Sequence, residues 1–309
     1  MGFEKVNESL VKYLAGLLDA DGSLSLAFKH DQNREGRYFV GLSLRLASST
    51  AVDLNGWVET LPAQTGMGTI SHYGQNDQFK TWVVSKRSEL EMLLPRLIKH
   101  MVIKARHWQW LLDKWRELRA EAKTVSAEER EALTKESKES RQTRIGPLKP
   151  KNHPTWAWLA GYLDGDGWYC YRQHKANTGY MQWSIYAGAV CHVNDVSVLE
   201  FLQRSFGGTI RNHGGKETNK EWNRGLGYQN RSFALNFLPN LAKHSRLKRH
   251  KIDAIIHHHR QRLSVPGSPR TYCTMDGCST RSAGNGLCRL HYQQDYRERK
   301  RQSKALLAS

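Results

Sequence analysis

The sequence predicts an α+β protein in which one unit, helices on one face of a mainly antiparallel sheet, occurs twice. Two observations carry that prediction. First, "LAGLLDADG" at Leu14–Gly22 returns as "LAGYLDGDG" at Leu159–Gly167, 145 residues later. Two more segments return in the same order: "TGMGTI" (65–70) as "SFGGTI" (205–210), and "LPRLIKHMVIK" (94–104) as "LPNLAKHSRLK" (238–248). Ordered anchors at near-constant spacing mean two copies of one structural unit. Second, each copy passes from a segment that is apolar on every side to segments of strict apolar–polar alternation, the change of period that separates a buried helix from a half-buried strand.

The elements follow in order. Leu10 to Asp19 and Trp156 to Asp164 read as buried helices, ended by the glycine after each aspartate pair. Leu24, Leu26 and Phe28 alternate in one strand, and Tyr38, Val40, Leu42, Leu44 and Leu46 in the next. The second copy answers with Met181, Trp183, Ile185, Ala187 and Ala189. Helices are expected over Val52–Leu61 and Val196–Phe206. A strand pair is expected over Gly68–Tyr73 and Phe79–Val84, and two closing helices near Glu89 and Lys104.

Between the copies the chain has scarcely any large apolar residue. It reads as a linker, first a solvated helix and then, with Pro147, Pro150 and Pro154, an extended segment. The division is therefore 1–118 for the first unit, 119–152 for the linker, 153–265 for the second unit, 270–296 for a cysteine-rich module and 297–309 for a basic tail. Joining two copies in one chain makes a pseudo-symmetric monomer. No apolar run reaches the ~18 residues a bilayer span requires, so the reading is an intracellular, non-secreted chain with no membrane partner. Lys and Arg number 47 against 29 Asp and Glu, a formal charge of +18 that points to a polyanionic partner.

The repeated nonapeptide has features a core helix does not require. Gly16 and Ala20 stand four apart on one face, as do Gly161 and Gly165, a spacing that lets two helix backbones approach closely. Each motif helix thus has a natural partner in the other. Residues two apart point to nearly opposite sides of a helix, so Asp19 and Asp21 cannot form one local carboxylate pair. Pairing the helix ends instead brings Asp21 towards Asp166, and two adjacent carboxylates need a proton or a divalent cation between them. Mg²⁺, held by carboxylates and phosphate oxygens, suits such a site and suits phosphodiester hydrolysis. A calcium loop starting at either "DxDG" would need glutamate at its twelfth position, where His30 and Lys175 stand instead.

These motifs resemble the two signature segments of a single-chain LAGLIDADG homing endonuclease, with a similarity over roughly residues 5–263. The resemblance implies two αββαββα units, a central interface of the two motif helices, and antiparallel sheets that form a saddle in the DNA major groove. It further implies Asp21 and Asp166 as essential ligands of Mg²⁺ (or Mn²⁺), with Asp19 and Asp164 as structural residues at the helix ends. Lys104 and Lys248 match the family's basic residue near the reacting phosphate. The polar residue that orders active-site water in the family has Thr50 as its nearest counterpart in the first copy and only a loose one around His192 in the second. The activity implied is site-specific double-strand cleavage of a long asymmetric duplex. An intron maturase, with intron RNA as partner, and a cleavage-deficient DNA-binding regulator are the alternatives. The regulator would have no need of both acids and both lysines.

Exposed faces of antiparallel strands fit the major groove, where Arg and Lys suit guanine and Asn and Gln suit adenine. The sequence offers Lys29, Arg37, Arg45 and Lys80, with His30, Ser71 and His72, in the first copy. The second offers Arg172, Gln173, Gln182, Arg211 and Arg224, with Lys175, Asn212 and Gln229. Beyond the repeats, Cys273, Cys278, Cys288 and His291 form C-x4-C-x9-C-x2-H, a donor set for a closed tetrahedral Zn²⁺ site. So short a segment cannot build a core of its own, so the metal would supply much of its folding free energy. Arg270, Arg281, Arg289, Arg297, Arg299, Lys300 and Arg301 make it basic, in keeping with further phosphate contacts.

Overall fold

The computed structural model describes residues 6–49, 51–120, 124–142, 154–175, 181–191, 196–212, 224–228, 231–264, 275, 278 and 287–306. Residues 1–256 form one compact unit, which contains the first copy and all of the second up to the middle of its last helix, and 257–309 form another. Among the described residues no helix is long and apolar enough to cross a membrane.

In the first copy α1 (Glu8–Ala20) leads into β1 (Gly22–His30) and β2 (Tyr38–Ser49). A short α2 (Leu61–Thr65), β3 (Thr69–Tyr73), β4 (Phe79–Val84), α3 (Arg87–His100) and α4 (Ala105–Ala120) follow. The second copy repeats this as α6 (Trp156–Gly165), β6 (Gly167–Lys175), β7 (Met181–Cys191), α7 (Val196–Phe206), β8 (Thr209–Asn212), β9 (Arg224–Tyr228), α8 (Arg231–Ala242) and α9 (Arg249–Ser264). Both sheets are antiparallel and have the same order, β1-β2-β4-β3 and β6-β7-β9-β8. The predicted α+β class and the duplication are therefore what the chain adopts.

The register fixes which side chains share a face. Gly22 pairs with Leu46, Leu24 with Leu44 and Leu26 with Leu42, and Leu44 pairs onward with Val84 and Leu46 with Trp82. This set, with Leu26 partly buried and the rest buried, packs beneath α1, α3 and α4. The opposite set runs through Ser23, Arg45 and Val83, and through Lys29 and Phe39. Burying a leucine side chain contributes about 1.5–3 kcal/mol, so a one-residue slip, which would turn the whole leucine row to solvent, is strongly opposed.

Two elements differ from the sequence expectation. The helix expected over Val52–Leu61 is a turn followed by a 3₁₀ segment, Trp57–Thr60, that runs into α2. Gly56 at φ 62° breaks the helical path, and the Asp53 carboxylate accepts the amides of Trp57 (2.6 Å) and Val58 (2.8 Å), which starts a new helix there. The linker also does more than connect. Its residues Thr124–Val125 form β5, pairing with Tyr38 and Phe39 on the edge of β2 that β4 leaves open, and α5 (Ala127–Gln142) packs on α4. Leu133 is buried in that contact, and the Arg130 guanidinium lies 4.6 Å from the centre of the Tyr38 ring. The linker helix is otherwise largely solvated, as its composition suggests. The expected extended part up to residue 153 lies outside the described residues.

Candidate active site

The two motif helices meet along their glycines. A Cβ on Gly16 would overlap the carbonyl oxygen of Trp158, and one on Gly161 would overlap that of Tyr13, a reciprocal contact of backbone on backbone. Nothing larger than hydrogen fits at either position. From Tyr13 to Asp19 and from Ala157 to Asp164 every residue is buried. This explains why the segments are apolar on all sides: one face meets the parent unit and the other meets the partner helix.

The aspartates then separate into two kinds. Asp19 is buried and accepts four hydrogen bonds, from the amides of Val102 (2.7 Å), Ile103 (3.2 Å) and Lys104 (2.8 Å) and from the indole Nε1 of Trp158 (3.0 Å). Asp164 accepts from the amides of Arg246, Leu247 and Lys248, from Ser245 Oγ, and from Tyr13 OH at 2.8 Å. Each caps the amides that open the last helix of its own copy and takes one aromatic donor from the other copy. Burial pushes the Asp19 carboxyl up against those hydrogen bonds, and pushes the Tyr13 phenol well up, helped by the Asp164 charge.

Asp21 and Asp166 are the C-caps of α1 and α6 and reach solvent. Asp21 accepts no side-chain hydrogen bond among the described residues, in contrast to Asp19. Its Oδ2 would lie 2.9 Å from a Cβ built on Gly165, the residue preceding Asp166, so the two helix ends abut. Burial raises the Asp21 carboxyl, while Lys248 of the opposite copy and then Lys104 pull it down. The same desolvation lowers the Lys248 ammonium, against the charges of Asp164, Asp21 and Asp166. One lysine therefore feels both helix-end acids.

The lysines hold a position the sequence does not announce. Lys104 Nζ donates to the carbonyls of Leu18 (3.0 Å), Ala20 (2.8 Å) and Gly22 (2.8 Å), and Lys248 Nζ to those of Leu163 (3.2 Å), Gly165 (2.7 Å) and Gly167 (2.6 Å). Three ammonium protons match three carbonyls at the negative end of each motif helix. Spacing alone shows only symmetric lysines, because such a cap depends on the chain returning from more than 80 residues away. Methionine at either position leaves these carbonyls without their donor. We expect a loss on the order of 1–3 kcal/mol, read as a lowered melting temperature alongside any change in rate.

The proposed base readers divide. Lys29 and Arg45 are exposed on the open face of the first sheet, and Arg211 is exposed on β8. Lys80 pairs in register with Ser48 and His72, on the face of Trp82 and Val84. Its ammonium lies 2.9 Å from Glu59, as does the His72 ring at 3.8 Å, so both are engaged at the margin of the helix-bearing side. Arg37 donates to the Thr124 carbonyl and hydroxyl and pairs with Glu129, so it fastens the linker. Arg172, Gln173, Gln182 and Arg224 lie in strands β6, β7 and β9, where the register sets Arg172 opposite Ser184 and Gln182 opposite His174 on the solvent face. Gln173 stands opposite Trp183 and Arg224 opposite Cys191, in the rows of the buried Ile185, Ala189 and Leu226, so these two positions belong to the helix-bearing face. Thr50, His192 and Gln229 lie outside the described residues.

In the C-terminal unit, Cys278, Cys288 and His291 converge. The two sulfurs are 3.9 Å apart, and Cys288 Sγ is 3.4 Å from His291 Nδ1. A tetrahedral zinc with Zn–S of ~2.3 Å places its sulfurs ~3.8 Å apart, so this donor geometry fits the ion. Cys288 immediately precedes α10 (Arg289–Leu306), whose first turn carries His291. Cys273 lies outside the described residues.

No protein-family model and no curated protein sequence matches the chain. Solved structures do. The I-SmaMI LAGLIDADG homing endonuclease bound to cleaved DNA aligns with a TM-score of 0.59 at 19% identity, over 85% of this chain and 93% of that one. The LAGLIDADG meganuclease I-CpaMI bound to uncleaved DNA aligns with a TM-score of 0.61 at 14% identity, over 83% and 95%. I-SmaMI bound to an uncleaved DNA target in the presence of calcium ions gives 0.58 at 18% identity, over 85% and 95%. The chain therefore has the α+β fold seen in LAGLIDADG meganucleases, built on two antiparallel sheets of the same four-strand order, with β5 added to the first.

Proposed function

We propose that the protein is a site-specific DNA endonuclease that makes a double-strand break, using one carboxylate from each copy. The supporting observation is the contrast between the aspartates. Asp19 and Asp164 are fully occupied as structural acceptors, whereas Asp21, at the abutting helix ends, is solvent-reachable and has no side-chain donor among the described residues. Such a carboxylate, beside Asp166, suits a hard divalent cation. Mg²⁺ or Mn²⁺ there would polarise a phosphodiester and lower the pKa of the attacking water. Asp21 and Asp166 would hold the ion, and Lys104 and Lys248 would fix the helix ends that carry them and offset their mutual repulsion. Because burial raises the Asp21 carboxyl, protons compete with the cation, and binding should strengthen as the pH rises above the ordinary aspartate range.

The solvent faces of the two sheets would lie in the major groove, read by Lys29 and Arg45 in the first copy and by Arg172, Gln182 and Arg211 in the second. The two sets differ, so the target is asymmetric. Double-stranded DNA accounts for the +18 charge. The test is incubation with a randomised duplex library and Mg²⁺, followed by sequencing of cut ends. One enriched asymmetric site, cut on both strands, is the expected result. No cleavage under any divalent metal, with an intron RNA bound and spliced, would replace the endonuclease reading with a maturase.

Cys278, Cys288 and His291, with Cys273 as fourth ligand, would hold Zn²⁺ and order residues 273–291 ahead of the basic helix α10. We expect about one zinc per purified chain, lost together with that segment's order in Cys288→Ser. Elemental analysis and the visible spectrum of the Co²⁺-substituted protein check it, and a zinc-free folded segment would contradict it.

A further inference from the structure

Among the described residues of 1–256, three aromatic side chains are markedly exposed: Phe39, Tyr73 (48%) and Phe79 (38%). All three occupy the same face. Phe39 pairs with Lys29, Ser49 with Phe79 and Phe79 with Tyr73, so they lie on the solvent face with Arg45 and Ser71. Tyr73 and Phe79 stack across the β3–β4 hairpin, with ring centres 5.2 Å apart and planes 18° apart. The turn between them carries Gly74, Asn76 and Asp77 at positive φ. A polar sheet face that needed only solubility would not gather its aromatics there. A cross-strand aromatic pair stabilises a hairpin, yet that role is equally served on the buried face.

Resting on the endonuclease reading, we propose that Tyr73 and Phe79 are specificity residues, whose stacked rings form an apolar contact for thymine C5-methyl groups in the major groove. The occupant follows from chemistry. In B-DNA the major groove presents one apolar group, the thymine methyl, and aromatic side chains are among those that contact it. Arg45 and Lys29, farther along the same face, suit phosphates or guanine, whereas this stacked pair offers the first sheet an aromatic contact that tells thymine from cytosine without a hydrogen bond.

The experiment uses the full chain and the target recovered from the randomised library. Each thymine is replaced in turn by deoxyuridine, which removes the methyl and leaves base pairing intact. Binding should weaken about fourfold per contacted methyl at one or two positions on the side read by the first copy. In the Tyr73→Ser, Phe79→Ser double variant those positions should become indifferent to the methyl. A wild-type protein blind to every methyl overturns the proposal, whether or not the double variant folds. So does methyl sensitivity that survives the double substitution. A chain that selects and cuts a site without methyl dependence refutes this inference alone; one that selects no duplex sequence refutes the endonuclease reading as well.

Discussion

Asparagine at position 21, or at position 166, will abolish double-strand cleavage while the protein stays folded and bound to its target. The exchange keeps shape and removes one charge, and at Asp21 no described hydrogen bond depends on that charge. Stability should change little. Losing one of the two carboxylates that would hold the cation should slow cleavage at least about 10³-fold, corresponding to several kcal/mol of transition-state stabilisation. Position 19 provides the contrast. Asp19→Ala would strand the amides of Val102, Ile103 and Lys104 and the Trp158 indole in a buried site, at a cost on the order of 3 kcal/mol. Melting curves and single-turnover cleavage on the same variants separate the two kinds of aspartate. Equal loss of folding at positions 19 and 21 would merge them.

Alanine at Gly16 or Gly161 should be nearly as damaging, by another route. In an exposed helix, glycine to alanine gains about 1 kcal/mol in helix propensity. Here the added methyl meets a backbone carbonyl of the facing helix, Trp158 O or Tyr13 O, and no side-chain rotation can relieve it. The helices must separate, loosening the packing of two buried segments and drawing Asp21 away from Asp166. We expect about 3 kcal/mol of destabilisation, roughly 6–12 °C in melting temperature, with cleavage lost as well. A Gly161→Ala protein as stable as wild type would show that the backbones do not approach so closely.

The legible parts of the molecule were those written twice or written with a clear period. The motif helices follow from comparing the copies, β1 and β2 from their leucine alternation, and the structural place of Asp19 from its position in the repeated motif. The turn at Asp53–Gly56 was hidden because Val52–Leu61 has helix-compatible composition, and what ends a helix there is one carboxylate accepting two amides. Strand β5 was hidden because two residues carry no periodic signal, and they pair where β2 happens to have a free edge. The helix-capping lysines depend on tertiary return of the chain. Lys80 is a different case, since it stands two residues before Trp82 and four before Val84. Strand parity, read strictly, already turns it to the apolar side and turns Tyr73 and Phe79 outward.

We propose one divalent-cation site, shared by Asp21 and Asp166, at the joint of the two copies. Its most direct test is Mn²⁺ binding to the complex of full chain and target, followed by electron paramagnetic resonance in the wild type and in Asp21→Asn and Asp166→Asn. We expect at least tenfold weaker Mn²⁺ binding in each single variant, with DNA affinity retained. Undiminished Mn²⁺ binding in both variants would contradict it.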